Sequence, residues 1–393
     1  MTKLRLLFSS YILAVLALFF YSFTQVDLNL TLSTSSIYQT LQKQFQYIGF
    51  FQRPLSALIF SIIVFLLFLF YLSFLYLSKK NKLKIITLRN LIFITFAILV
   101  FSYNAFSYDL FNYIFDAKIL THYSQNPYFY RPIDFEGDPM LNFMRWTHRF
   151  YPYGPSWLII TAPLSFIGFN LFLPTFFLFK LTIGATYLGS VYLIYKISEM
   201  LFPKSRIFNT VFFAFNPLVL IEGLVSAHND FPLVFFGLLS VFLYLKKQRI
   251  LSFVSLFFSI GVKYSTVAIL PGFFLALIYD KFKKTVPWDK IIVLSIIFSL
   301  LTVALASLRT TFQPWYLILP LSLGALISKK YYIFLPSIIA TVFCLLIYTV
   351  YVFMTDYAKA YPGIISNIEI AGLISAVTFT FIYFLKVRLL AKH

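Results

Sequence analysis

Apolar residues along this chain fall in long blocks separated by short polar gaps. Residues 6–23, 55–78, 88–106, 331–353 and 368–385 each predict a helix long enough to cross hydrocarbon. Shorter apolar blocks at 231–245, 251–262, 265–279 and 315–328 are brief for a bilayer about 30 Å thick, and 251–279 also reads as a re-entrant hairpin. The pattern predicts an all-α polytopic membrane protein of about twelve transmembrane helices, in one domain over 1–393. After the first block, Thr24-Gln25-Val26-Asp27 offers no small-x-small cleavage site, so that block reads as a retained anchor.

Composition agrees with that class. The 393 residues are 60% hydrophobic and 11% charged, too few charges to cover a soluble globule of this size. A net charge of +19 would suggest a nucleic-acid partner in a soluble protein, but here it has another source. Basic residues crowd the gaps at Lys3/Arg5, Lys79–Arg89, Lys196–Arg206, Lys246–Arg249, Asp280–Lys290, Lys329/Lys330 and Lys386–Lys392. Those gaps hold 22 of the 32 basic residues and only Glu199, Asp280 and Asp289 among the acids; the rest of the chain is neutral. The positive-inside rule puts every such gap in the cytoplasm, with both termini inside. A crossing at 154–168 would reverse all later gaps, so that segment reads as an outer-face juxtamembrane helix. Cys344 is the single cysteine, which excludes an intrachain disulfide and a cysteine metal cluster.

On this topology two long loops face outward. Residues 27–54 are polar and neutral, without evident chemistry. Residues 107–170 hold Asp109, Asp116, Asp134, Glu136 and Asp138 with Lys118, Arg131, Arg145, His148 and Arg149. Asp109 follows an apolar block among Tyr103, Phe106, Tyr108 and Phe111, a setting that suits a general base, though it could mark only where the chain leaves lipid. Asp116 is seven residues on, about two helical turns, and could share a face with Asp109 or be a solvated loop residue. His228-Asn229-Asp230 could be a plain polar turn, and a lone histidine is a weak metal signal. Lys263 and Arg309 flank outer span ends and are candidates for a phosphate, with snorkelling as the plainer reading. Trp315 and Tyr316 read more readily as interface anchors than as sugar platforms.

Together these segments resemble the GT-C superfamily of integral-membrane glycosyltransferases, and most of all the polyprenyl-phosphomannose-dependent α(1→6)-mannosyltransferases of actinobacterial lipoglycan synthesis. The resemblance rests on ordered short motifs: Asp109-Leu-Phe-Asn-Tyr113, Asn126-Pro127-Tyr128, Gly137-Asp138-Pro139 and Tyr153-Gly154-Pro155-Ser156-Trp157-Leu158. Asn216-Pro217-Leu218-Val219-Leu220, His228-Asn229-Asp230, Lys263 with Leu270-Pro271, and Gln313-Pro314-Trp315-Tyr316 complete it. It implies a GT-C-like fold whose first large outer loop, 107–170, carries juxtamembrane helices and the catalytic centre. It maps the family's catalytic aspartate onto Asp109; Asp116 is the second catalytic candidate by its spacing, and Lys263, Arg309 and His228 are candidates for the donor phosphate. Tyr113, Asn126, Tyr153, Asn229, Asp230, Gln313 and Trp315 would then contact substrate.

The implied reaction moves a sugar, mannose by the resemblance, from a polyprenyl-phosphate donor to a glycan or glycolipid acceptor on the outer face of the inner membrane, with inversion. Partners are those substrates and membrane lipids, not nucleic acid. No cofactor is required and no dedicated metal site is expected, although in some superfamily members a divalent cation bridges the aspartate and the phosphate. A flippase of lipid-linked sugars is the alternative, which predicts inverted repeats and midplane polar groups instead. A scaffold protein would need no such gathering of charged residues on one face.

Overall fold

The computed structural model describes residues 2–354, 360 and 362–390; Lys392 of the last basic gap lies outside them. They form α-helices joined by turns and short 3-10 and π segments, with no strand among them. Among the described residues six helices are long and apolar enough to span a membrane: Lys3–Gln25, Arg53–Lys79, Phe172–Leu201, Trp288–Arg309, Tyr331–Met354 and Gly363–Leu389. A bent pair, Pro203–Ala214 with Pro217–Val225, could make a seventh; five further apolar helices are shorter. The chain is therefore a polytopic helical membrane protein.

Two compact units make it up. The first comprises Met1–Gln52, Asn90–Leu193 and Leu220–Val267; the second comprises Arg53–Arg89, Ile194–Val219 and Ala268–His393. In the second unit, α3 (Arg53–Lys79) shows why such helices hold together. Ser56, Phe60, Ile63, Leu67, Tyr71, Phe74 and Ser78 recur every three or four residues and are buried. Leu58, Ile62, Phe65, Leu69 and Leu72 on the other side are exposed, an apolar face that only lipid would cover. Buried polar groups are tied locally: the Tyr71 hydroxyl donates to the Phe212 carbonyl at 2.9 Å, and Asn216 donates to Thr341 Oγ1 at 3.0 Å.

The first unit begins with α1 (Thr2–Ser22) and α2 (Ser36–Gln46). α2 gives the 27–54 loop a structure that its composition did not suggest. Gln46 donates to the Val26 and Asp27 carbonyls at 3.2 and 3.1 Å, and Gln42 donates to the Leu30 carbonyl at 2.7 Å. The Asp27 carboxylate in turn accepts from the Tyr108 hydroxyl at 2.8 Å, so this loop braces the residue just before Asp109.

One expected helix ends early. The block at 88–106 forms α4 (Ile85–Leu99) and then leaves the helix. Past Leu99 the backbone finds partners outside a helix: the Tyr103 amide donates to Ser22 Oγ at 3.0 Å, and Asn104 Nδ2 donates to the Ser107 carbonyl at 2.8 Å. The chain re-enters a helix at α5 (Asp109–Thr121). α6 (Pro155–Ile167) and α7 (Phe172–Leu201) follow. α8 (Arg206–Ala214) and α9 (Pro217–Leu220) follow in the chain, largely in the second unit, and α10 (Asp230–Leu245) and α11 (Arg249–Val262) return to the first.

Candidate active site

Asp109 is the first residue of α5, where the helix dipole favours an acidic side chain, and its amide donates to Ser107 Oγ at 3.1 Å. Asp109, Asn112 and Asp116 follow at three- and four-residue steps, which puts them on one face of the helix. All three are buried. A carboxylate pair on a shared face is therefore a feature of the fold, as the spacing suggested.

Two basic groups meet Asp109. Arg149 Nη2 lies 3.8 Å from Oδ1, and His228 Nδ1 lies 3.6 Å from Oδ2. The other ring nitrogen of His228, Nε2, is 3.2 Å from Glu222 Oε2. Arg149 also donates to Tyr153 Oη at 3.4 Å. Burial works against its charge, but Tyr153, Asp109 and Asp116 outweigh that and raise its pKa, so it stays a cation. Burial, reinforced by the Asp109 charge and opposed by Arg149, pushes Asp116 up to about 7. Burial likewise raises the phenols of Tyr113, Tyr151 and Tyr153, which remain neutral hydrogen-bonding groups.

The Tyr-Gly-Pro stretch earns its glycine through close backbone approach. Gly154 caps α6 ahead of Pro155, and its amide reaches the Val262 carbonyl at 3.3 Å. A Cβ on Gly154 would stand 2.2 Å from the Gly261 carbonyl oxygen, so a side chain there would force the end of α11 away. That seam sets Tyr153 and Lys263 at the ends of two packed elements. Tyr113 meets Tyr153 and Trp157 edge-on, with ring centres 5.2 and 5.4 Å apart. Asn126 is exposed, and its Oδ1 accepts the Tyr128 amide at 3.0 Å; the Tyr128 hydroxyl then donates to the Tyr153 carbonyl at 3.0 Å. Asn126 thus shapes the turn that holds Tyr153.

His228-Asn229-Asp230 is no solvated turn. All three residues are buried, and neither polar atom of the Asn229 amide has a hydrogen-bond partner among the described residues. Ala227, just before them, sits in the left-handed region at φ 56°, a strained conformation for an alanine. Lys263 donates to both oxygens of Asp230, at 2.9 and 3.1 Å. The first unit thereby brings Asp109, Asp116, Tyr113, Tyr153 and His228 into one buried polar region, with Asp230 and Lys263 paired beside His228 in sequence.

Arg309, Gln313 and Trp315 belong to the second unit. Arg309 ends the helix Trp288–Arg309 and is exposed; Gln313 donates to Thr311 Oγ1 at 2.8 Å; Trp315 is half-buried in the turn Pro314–Leu317. Among the described residues, no three His, Cys, Asp or Glu side chains are grouped as a metal site.

Sequence reading gave Arg149 and Glu222 no role. Arg149 was one of several loop cations, with nothing to single it out. Glu222 did carry a signal, being a lone carboxylate inside an apolar run.

Residues 21–279 match the alpha-(1->6)-mannopyranosyltransferase family, N-terminal domain. The chain belongs to that family. The matched segment contains every first-unit residue named above, from Asp109 to Lys263, and stops short of Arg309, Gln313 and Trp315. No curated protein and no solved structure matches the chain. The protein is a membrane glycosyltransferase of the mannosyltransferase type.

Proposed function

We propose that this mannosyltransferase takes mannose from a polyprenyl-phosphate donor and passes it to a glycan or glycolipid hydroxyl on the outer face of the inner membrane. The observation that carries the reading is the buried Asp109 carboxylate, met on its two oxygens by Arg149 at 3.8 Å and His228 at 3.6 Å. Both contacts are longer than a hydrogen bond, so the carboxylate has capacity left for a substrate hydroxyl. Asp109 acts as general base: it takes the proton of the acceptor hydroxyl as that oxygen attacks the anomeric carbon. The bond from the anomeric carbon to the phosphate oxygen breaks on the opposite side, and polyprenyl phosphate leaves with the electron pair. An α-linked product formed by inversion requires a β-linked donor.

Phosphate is a good leaving group and needs no acid; it needs cations. Arg149, kept charged next to the base, is the protein group best placed for it; Lys263, His228 and Arg309 are further proposed donor-phosphate groups. Asn112, Tyr113, Asn126, Tyr153, Asn229, Asp230, Gln313 and Trp315 are proposed substrate contacts. No cofactor is required in this scheme.

The orientation rests on the basic gaps. About twelve spans with both termini inside, in a single domain, account for the charge pattern. α6 has 13 residues and would rise only about 20 Å, short of a bilayer, which supports its reading as a juxtamembrane helix. Cysteines placed at Asp134 and Asn367 will react with an impermeant thiol reagent in intact cells, and cysteines at Lys204 and Lys283 will not. The reverse pattern beyond residue 168 would put the site on the wrong side. Incubating the purified chain with a panel of polyprenyl-phosphate sugars tests the reaction; transfer from a nucleotide sugar alone would overturn the donor assignment.

A further inference from the structure

Lys180 has no part in the mechanism above, yet it lies within α7, a spanning helix, and is buried. An ionisable group at such depth is costly and persists where its donors are met. Here they are met. Nζ donates to the carbonyls of Leu224 and Val225 at 2.5 and 2.8 Å and to Ser102 Oγ at 3.2 Å, one oxygen for each ammonium hydrogen. None of the three is a carboxylate, so the lysine serves the backbone rather than an ion pair. The two carbonyls end a five-residue π-turn, Ile221–Val225, a rare form of backbone that recurs at functional sites. In a helix that ran on, they would accept the amides of His228 and Asn229. The chain breaks instead: Ala227 turns left-handed at φ 56°, and the His228 amide donates back to the Glu222 carbonyl at 3.0 Å. Leu224 and Val225 are buried, so water cannot stand in for the lost amides. Lys180 supplies the missing donors. Beyond the break stand His228, 3.6 Å from Asp109, and Asp230, the first residue of α10 and the partner of Lys263.

We propose that Lys180 is a positioning residue of the transfer reaction: it replaces the absent helical amides, holds the chain in the left-handed break at Ala227, and thereby keeps His228-Asn229-Asp230 beside Asp109. This rests on Asp109 being the base and on those three residues lining its site. Without the lysine, the two buried carbonyls favour a helix that continues past Val225. Continuing it gives them amide partners and also relieves the strain of a left-handed alanine. The same change turns His228, Asn229 and Asp230 about the helix axis and away from their present neighbours.

The test uses the full chain in nanodiscs, with polyprenyl-phosphate mannose as donor and rates taken per folded molecule. Lys180→Met should lower kcat/KM about 10- to 100-fold, the population shift expected when a buried carbonyl loses its partner. A lysine that only stabilised the fold would show no such loss. Ala227→Gly alone should stay within about threefold of the parent, since glycine enters the left-handed region freely. Added to Lys180→Met, it should recover about 5- to 30-fold, because the break no longer carries the cost that alanine meets there. Replacing His122, His148 and His393 by Gln leaves His228 as the single histidine for 15N labelling. Its ring signals should move in Lys180→Met and return toward the parent positions when Ala227→Gly is added. An undiminished rate in Lys180→Met, or a loss that Ala227→Gly does not lessen, would overturn the proposal. If Lys180→Met does not fold, the double variant decides: a folded, active one supports the break as the purpose of the lysine, and an unfolded one refutes it. Failure of the parent chain to use any polyprenyl-phosphate sugar would instead remove the donor assignment, and the His228 signals would still report on the break.

Discussion

Asp109 and Asp138 lie in the same loop region, both buried and both next to a cation, and they are built for opposite purposes. Asp138 is saturated. Lys118 binds one oxygen, which also accepts from the Tyr123 hydroxyl at 2.6 Å, while the other accepts the Met140 amide at 2.9 Å. Burial alone would raise its pKa, but those donors outweigh it and lower it, while burial and the Asp138 charge push the Tyr123 phenol up to about 12. Asp109, by contrast, has its two basic neighbours at 3.6 and 3.8 Å and an open hydrogen-bonding capacity. Residue type leaves the two carboxylates of this loop alike; the tightness of their partners separates them.

The sharpest way to break that comparison is to neutralise each carboxylate in turn. Asp109→Asn should lower steady-state turnover about 10²–10⁴-fold, because the amide keeps the shape but cannot take a proton. Asp138→Asn should leave turnover per folded molecule near the parent value. It should cost about 1.5–3 kcal/mol of stability through loss of hydrogen bonds to a charged group, read as a lower thermal midpoint. Equal turnover losses in the two variants would erase the distinction. Arg149→Gln comes next, with an expected loss of about tenfold to a hundredfold in donor kcat/KM from one charge-assisted contact of about 1.5–3 kcal/mol.

The pH dependence of stability sharpens the comparison further. The lowered pKa of Asp138 means its contribution is present above the ordinary carboxylate range and is lost as pH falls through the folded value. Asp116 has the opposite sign. With a folded pKa of about 7, its contribution is full near pH 3 and is lost as pH rises through 7. Melting curves should therefore show Asp138→Asn destabilising at pH 7 and progressively less so as the pH falls below the ordinary carboxylate range, and Asp116→Asn stabilising at pH 8 but not at pH 3. Arg309→Ala should have the smallest effect, about tenfold or less on donor KM, since Arg309 is an exposed side chain at a helix end.

Much of this was legible in the sequence, and the rest was not for identifiable reasons. Long apolar blocks gave the helices because lipid leaves the backbone no other partner. The order of short motifs pointed to the family, and the seven-residue step from Asp109 to Asp116 put both on one helix face. Spacing could not tell Asp138 from Asp109, because the Lys118 and Tyr123 contacts arise only when the loop folds back on α5. Glu222 and Lys180 stood in plain view as single charges within apolar runs. What they face depends on a π-turn, which no periodicity announces. The polar stretch at 27–54 acquired a purpose only through the Asp27–Tyr108 contact.

The most direct measurement is a single-turnover assay with excess enzyme, polyprenyl-phosphate mannose bound beforehand and acceptor added last. Asp109→Asn should bind the donor as the parent does and transfer no mannose on the parent's timescale, while Asp138→Asn transfers normally. Transfer by Asp109→Asn at the parent rate would contradict the account, because the base would then have to be another residue.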